Sequence, residues 1–145
     1  MITYFCFANR FKGPDAVIHA HDDLAIGMTR PGAGQGQLWQ AVPIPGTTKY
    51  RFYTLRHGSR YSLDVNPGDP TKLCLAPTAN KPGQSWTITR AWAEEVVFNL
   101  SNDVTGPGIF ITVYSNGGML DVRMLPYSDD NRKEEWFMMV NDIQP

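Results

Sequence analysis

Apolar residues recur at every second position in short runs, and the runs come round three times. Phe5 and Phe7, Tyr50 and Phe52, and Phe98 and Leu100 open the three rounds. Six residues after Phe7, Phe52 and Leu100 stand Gly13, Gly58 and Gly106. Five residues after each glycine comes an aliphatic, Ile18, Leu63 or Ile111, and two further on come Ala20, Val65 and Val113. A period of two predicts strands that bury one face. The chain shows no 3.6-residue period long enough for a helix.

The predicted strands are Ile2–Ala8, Ala16–His21, Leu24–Thr29 and Leu38–Ile44 in the first unit. The second unit has Lys49–Leu55, Arg60–Asn66, Lys72–Pro77 and Ser85–Ala91. The third has Val96–Ser101, Ile109–Ser115, Met119–Leu125 and Glu135–Val140. Asn116-Gly117-Gly118 is a hairpin turn, because Asn and Gly accept positive φ.

A Gln/Glu-x-Trp tripeptide opens the last strand of each unit: Gln37-Leu38-Trp39, Gln84-Ser85-Trp86 and Glu134-Glu135-Trp136. Repetition at this period marks a repeat architecture. The units run over about 2–46, 47–93 and 94–145, and together form one all-β domain. One unit cannot bury its apolar face alone. Three can close a six-stranded barrel capped by three hairpins, which leaves no free sheet edge. Each Trp is expected in the core, and the Gln or Glu beside it on backbone groups that a tight turn leaves unpaired.

Composition narrows the function. With 13 Lys and Arg against 14 Asp and Glu, the net charge of −1 supplies no field for nucleic acid or an anionic membrane. No apolar run reaches the roughly 18 residues of a membrane span. The start of the chain reads as a first strand rather than a signal peptide, so a cytoplasmic protein is expected, exported if at all by a non-classical route. Cys6 and Cys74 fall in different units and are expected as reduced thiols. Asn99-Leu100-Ser101 matches a glycosylation acceptor pattern.

The three Gln/Glu-x-Trp copies, with Leu63-Asp64-Val65 some twenty residues before the second, resemble the ricin-type β-trefoil family. The resemblance covers nearly the whole chain and is most similar to the cytosolic mushroom lectins. It implies a β-trefoil fold and multivalent, defensive binding of galactose- or N-acetylgalactosamine-type glycans. It also implies no cofactor and a homodimer. In that family the second-strand Asp accepts hydrogen bonds from two sugar hydroxyls, an aromatic on the third strand stacks under the ring, and an Asn precedes the Gln. Asp64 matches the first of these. His19 and Thr112 stand at its place in the other units. The aromatic's place reads as Gly27, Ala76 and Arg123, and the Asn's as Gly36, Gly83 and Lys133.

The carbohydrate-binding candidates are therefore Asp64 and Asn66 on the second strand of unit two, and His19, His21 and Asp22 in unit one. Asn80 and Asn131 could reach the same regions from loops, Tyr114 could supply a ring, and Asn116 lies at a hairpin mouth. Leu120-Asp121-Val122 repeats the Leu-Asp-Val pattern, but only sixteen positions separate Leu120 from Trp136, against twenty-three from Leu63 to Trp86. That spacing puts Asp121 on a third strand. His19 and His21 share a face, but a metal site needs further convergent ligands, and none is expected.

Catalysis finds no support. The pairs Glu94-Glu95 and Glu134-Glu135 point to opposite faces of a strand and cannot flank a glycosidic bond. No Ser or Cys has a His and an acid at a recognisable spacing. The alternative to a lectin is a protease inhibitor of the same fold, acting through Pro43-Ile44-Pro45-Gly46 or Asn66-Pro67-Gly68-Asp69-Pro70.

Overall fold

Strands form at all twelve expected places in the computed structural model, which describes residues 3–32, 34–90, 97–116, 119–127 and 133–141. They are β1 (Tyr4–Asn9), β2 (Gly13–Ala20), β3 (Ile26–Thr29) and β4 (Trp39–Pro43); β5 (Tyr50–Thr54), β6 (Tyr61–Asn66), β7 (Asp69–Pro77) and β8 (Trp86–Arg90); β9 (Val97–Asn102), β10 (Gly106–Asn116), β11 (Met119–Pro126) and β12 (Trp136–Asn141). A single 3-10 turn precedes β4 (Gln35–Gln37) and β8 (Pro82–Gln84). The ends differ from the predicted ones where a bulge lengthens a strand. β2 and β10 each start at a glycine, several residues earlier than hydrophobicity indicates.

The first and last strands of the units pair antiparallel in a closed ring of six, β1–β4–β5–β8–β9–β12. The hairpins β2–β3, β6–β7 and β10–β11 cap one end. They touch one another through Ala25 opposite Cys74 and Lys72 opposite Arg123. This is a β-trefoil.

Burial explains the columns seen in the sequence. Trp39, Trp86 and Trp136 are all 0 % exposed and sit with Ile18, Leu63 and Ile111 in one core. Rings run from Phe7 through Phe52 to Trp86, with centroids 5.3 and 6.1 Å apart. The third unit has Leu100 at the place of Phe7 and Phe52. Each indole N–H donates to a backbone carbonyl on the second strand of its own unit, that of Ile18 (3.2 Å), Leu63 (2.9 Å) or Ile111 (2.8 Å). A buried indole thereby keeps its hydrogen bond. Those carbonyls belong to the residues just before His19, Asp64 and Thr112, so the Trp fixes the strand that carries the candidate site.

The Gln residues close the loop before each Trp. Gln37 accepts from Gly32 N–H and donates to Thr29 Oγ1 and the Arg30 carbonyl. Gln84 accepts from Ala79 N–H and donates to the Pro77 carbonyl. Buried Glu134 replaces Gln in the third unit.

A further threefold column carries no obvious signal in the sequence. Asn9, Thr54 and Asn102 end the first strands, each opposite one of the glycines. Gly13, Gly58 and Gly106 have φ of +79, +66 and +87, a region that costs most other residues free energy. The Asn and Thr oxygens accept the free N–H groups of that turn, from Phe11 and Lys12, His57, and Val104. Asn9 and Asn102 also donate across the unit boundary, to the carbonyls of Lys133 and Gly83. The next residue's N–H, of Arg10, Leu55 or Asp103, binds the middle residue of the preceding Gln/Glu-x-Trp. These bonds join neighbouring units around the ring.

Asn99 is buried and its Nδ2 donates to the Glu134 carbonyl at 2.9 Å. A glycan cannot be attached there in the folded chain.

Candidate functional site

The Trp bonds and the short loop before each Trp bring the same three places together in every unit: the second strand, its partner on the third strand, and the residue before the Gln or Glu. Strand register sets the partners as His19 with Gly27, Asp64 with Cys74, and Thr112 with Arg123. The third-strand place in unit two is thus Cys74 rather than Ala76, which the register of β6 and β7 sets opposite Ser62, two residues earlier on β6. The half-buried Cys74 thiol is pushed up from its ordinary value, chiefly by burial and next by the Asp64 charge.

The glycine before each Gln has a steric cause. A Cβ on Gly36 would collide with the backbone carbonyl of Ala20 and press on the His19 ring. A Cβ on Gly83 would collide with Asp64 Oδ1. In both units the loop lies directly on the second strand and leaves no room for the family's Asn.

Unit two is closed. Asp64 is 2 % exposed. Its Oδ1 accepts from Val65 N–H at 2.8 Å, and its Oδ2 from Gln84 Nε2 at 3.2 Å and Lys81 Nζ at 2.8 Å. A carboxylate offers about four acceptor directions, and three are already used by the protein. Asp64 here ties the Gln84 loop to β6. Asn66 accepts from Gly68 N–H and shapes the hairpin tip. Asn80 is exposed and lies 3.5 Å from Arg51. Neither side chain bonds to Asp64.

Unit three carries a chain of polar contacts. Arg123 lies over the Tyr114 ring at 5.0 Å and its Nε donates to Tyr114 Oη at 2.7 Å; Tyr114 Oη in turn donates to Asp121 Oδ2 at 3.3 Å. Asp121 is on β11, the third strand, as its spacing indicates. Thr112 turns its hydroxyl to the Phe110 carbonyl. Asn116 pairs with Met119 across a two-residue connection. Asn131 lies outside the described residues.

Unit one is open. His19, His21, Asp22, Asp23, Gln35, Gly36 and Arg56 line a cleft of about 480 Å³. Leu24, at φ +72, turns the chain tightly between β2 and β3, and this places His21, Asp22 and Asp23 on the cleft wall. The imidazole of His21 folds over Gly27: a Cβ there would stand 3.0 Å from His21 Nε2. A ring contributed by the turn thus occupies the space where the family's third-strand aromatic would stand. The rings of His19 and His21 are 4.7 Å apart and inclined at 64°. His57 Nε2 lies 3.1 Å from the His21 carbonyl, so all three histidines of the chain gather at this place. Asp22 pairs with Arg56 on the rim, where both are well exposed.

His19 Nδ1 is buried without a hydrogen-bond partner. Protonation would bury an N–H that has no acceptor. Burial lowers the His19 pKa from its ordinary value, and the neighbouring His21 lowers it further. The neutral ring is favoured, with Nε2 left as its donor. At the place where Asp64 is an acceptor, unit one therefore offers a donor, and the cleft's acceptors are Asp22, Asp23 and Gln35. Among the described residues no three His, Cys, Asp or Glu side chains converge as metal ligands.

No protein-family model and no curated protein matches the sequence. Solved structures match the fold over nearly the whole chain. A designed threefold-symmetric protein, ThreeFoil, superposes with a TM-score of 0.74 at 14 % identity, over 94 % of this chain and 97 % of its own. SeviL, solved bound to asialo-GM1 saccharide, gives 0.68 at 14 % identity, over 96 % and 98 %. A lectin from Polyporus squamosus, solved with a Neu5Ac-containing epitope, gives 0.74 at 15 % identity, over 94 % of this chain and 48 % of the lectin, so this chain spans about half of that protein. At these identities the likeness concerns the fold.

Proposed function

We propose that the protein is a non-catalytic glycan-binding module whose main site is the open cleft of unit one. The observation that carries this reading is the cleft itself, at the place where the ricin-type family holds its sugar. It is walled by donors (His19, Arg56) and acceptors (Asp22, Asp23, Gln35) around an imidazole platform. Convergent polar groups beside a flat ring suit a pyranose, whose hydroxyls need both kinds of partner and whose C–H face needs an apolar surface. The SeviL and Polyporus lectin structures support saccharides as the ligand class for a trefoil of this shape. Galactose or N-acetylgalactosamine termini are the sugars expected. A single shallow cleft binds weakly, so a defensive role on cell surfaces would call for several sites per particle, by pairing of chains or by further sites on each chain.

A glycan array followed by calorimetry tests the proposal. Binding to galactose-type termini, competed by free galactose and lost in His19→Ala, is the expected result. An empty array, or inhibition of a papain-like or trypsin-like protease in its place, would reject it.

A further inference from the structure

On the side of the barrel, away from the unit-one cleft, a second hollow of about 400 Å³ lies where β8 and β9 meet the start of β10. Its volume falls within the roughly 300–1,000 Å³ of small-molecule sites. Thr87 and Thr89 on β8 and Ser101 on β9 face it, and the half-buried ring of Phe110 forms a wall. The Lys49–Asp103 ion pair stands at its edge, each side chain about a third exposed.

The threefold frame shows what is unusual here. Register places Ser101 between Thr87 and Phe110, as it places Ala8 between Phe137 and Val17 in unit one. In unit one this outer face is an apolar cluster, with Ala8 and Val17 fully buried beside Tyr4, Cys6 and Leu38. In unit two the matching pair is Tyr53 and Gln40. In unit three the column reads Thr87, Ser101 and Phe110: hydroxyls stand at the places of Phe137 and Ala8, and an aromatic at the place of Val17. Ser101 is just 5 % exposed. Among the described residues, the hydroxyls of Thr87, Thr89 and Ser101 form no hydrogen bond to another protein group. Thr87 is half-buried and Thr89 exposed, so both open onto the hollow, and the sheltered Ser101 hydroxyl adds nothing to folding that Ala would not. A ligand that bonds these hydroxyls gives them a role.

We propose that this hollow is a second saccharide-binding site, built from residues unrelated to the repeated site positions. The Phe110 ring takes the C–H face of a terminal pyranose. Thr87, Thr89 and Ser101 exchange hydrogen bonds with its hydroxyls, and Asp103 and Lys49 serve a vicinal pair as acceptor and donor. The location stands on these observations alone; the choice of a sugar as ligand rests on the glycan-binding reading above. Two sites on different sides of one chain would let a single molecule bridge two glycans.

The test is a two-dimensional amide NMR titration with lactose and with methyl N-acetylgalactosaminide. It compares the wild-type chain with His19→Ala and with the near-isosteric Thr87→Val/Thr89→Val variant. The expected result is a set of shifts at Thr87, Ser101, Gly106 and Phe110 that persists in His19→Ala. In the double variant the same titration reports binding about tenfold weaker, with the rest of the spectrum unchanged. Shifts confined to the unit-one cleft would overturn this proposal and leave the glycan-binding reading standing. Shifts at neither place would overturn both.

Discussion

Units one and two put the same backbone to opposite uses. In both, a buried Trp holds the carbonyl that precedes the site residue, and a glycine lets the loop lie against the second strand. In unit two the site residue is Asp64, and the protein spends it on itself: Gln84 and Lys81 bind its Oδ2, and the place is filled. In unit one the residue is His19, which ties down no loop, and Gln37 anchors its loop through Thr29 and Arg30 instead. The Gln that needs the carboxylate in unit two does not need it in unit one. A cleft remains where a tether would have been. In these two units the repeat position is open where the loop has another anchor and closed where it has not.

The largest effect should be the same in both units. Trp39→Ala and Trp86→Ala each empty a fully buried site and remove an indole hydrogen bond. A loss of about 3–5 kcal/mol is expected for each, read from urea midpoints. Equal losses would show that the frame is shared; a much smaller loss for Trp39 would show that unit one is loosely packed around its cleft.

The site residues should then separate the units. Asp64→Ala leaves the buried Gln84 amide with one acceptor fewer. It should destabilise by about 1–3 kcal/mol while glycan affinity stays within twofold. His19→Ala should do the reverse, with less than about 1 kcal/mol of stability lost and at least about tenfold in affinity. If Asp64→Ala abolishes binding without unfolding, unit two is a site after all. Lys81→Ala probes the same contrast from the other side. Lys81 is half exposed, so its removal should cost no more than about 1 kcal/mol. It should also expose Asp64 Oδ2 and add glycan-induced shifts at β6, and their absence would mean that more than the lysine closes unit two.

The frame was legible in the sequence because its signals are local. A Trp and a glycine at fixed offsets stand out, and each reports a property of its own position: burial of a large ring, or a φ near +80. The boundary staples were not legible. Asn9 reaches Lys133 across 124 positions, and its column mixes Asn with Thr, so neither spacing nor composition marks it. The site was half legible. Leu63-Asp64-Val65 lies on the second strand, as its pattern indicates. That Lys81 covers Asp64 depends on how the loop lies, which seventeen positions of sequence do not convey. The glycines before Gln37 and Gln84 look like losses of a sugar-binding Asn. The structure shows them to be required by contact with Ala20 and Asp64. His21 over Gly27 is the same kind of surprise: a residue of the β2–β3 turn, rather than one on the third strand, supplies the ring.

The smallest effect is also the most specific to unit one. His19 is held below its ordinary pKa by burial first, then by His21, Arg56 and His57; among the groups facing it only Asp22 raises the value. The unfolded chain takes up this proton near pH 6.5, and the folded chain only at lower pH. Between those two points the unfolded state binds more protons, so stability falls as pH drops below 6.5 and levels off once His19 is charged in both states. Asp22 and Arg56 are largely exposed, which keeps the effect modest. Urea midpoints measured from pH 7.5 to 5 should therefore fall less steeply in His19→Gln than in the wild type. Glycan affinity should decline over the same interval, because a charged His19 would bury an Nδ1–H without an acceptor and set a positive charge beside Arg56 at the cleft. An unchanged slope in His19→Gln would mean that the buried Nδ1 is solvated in the folded protein, and that unit one is more open than its cleft suggests.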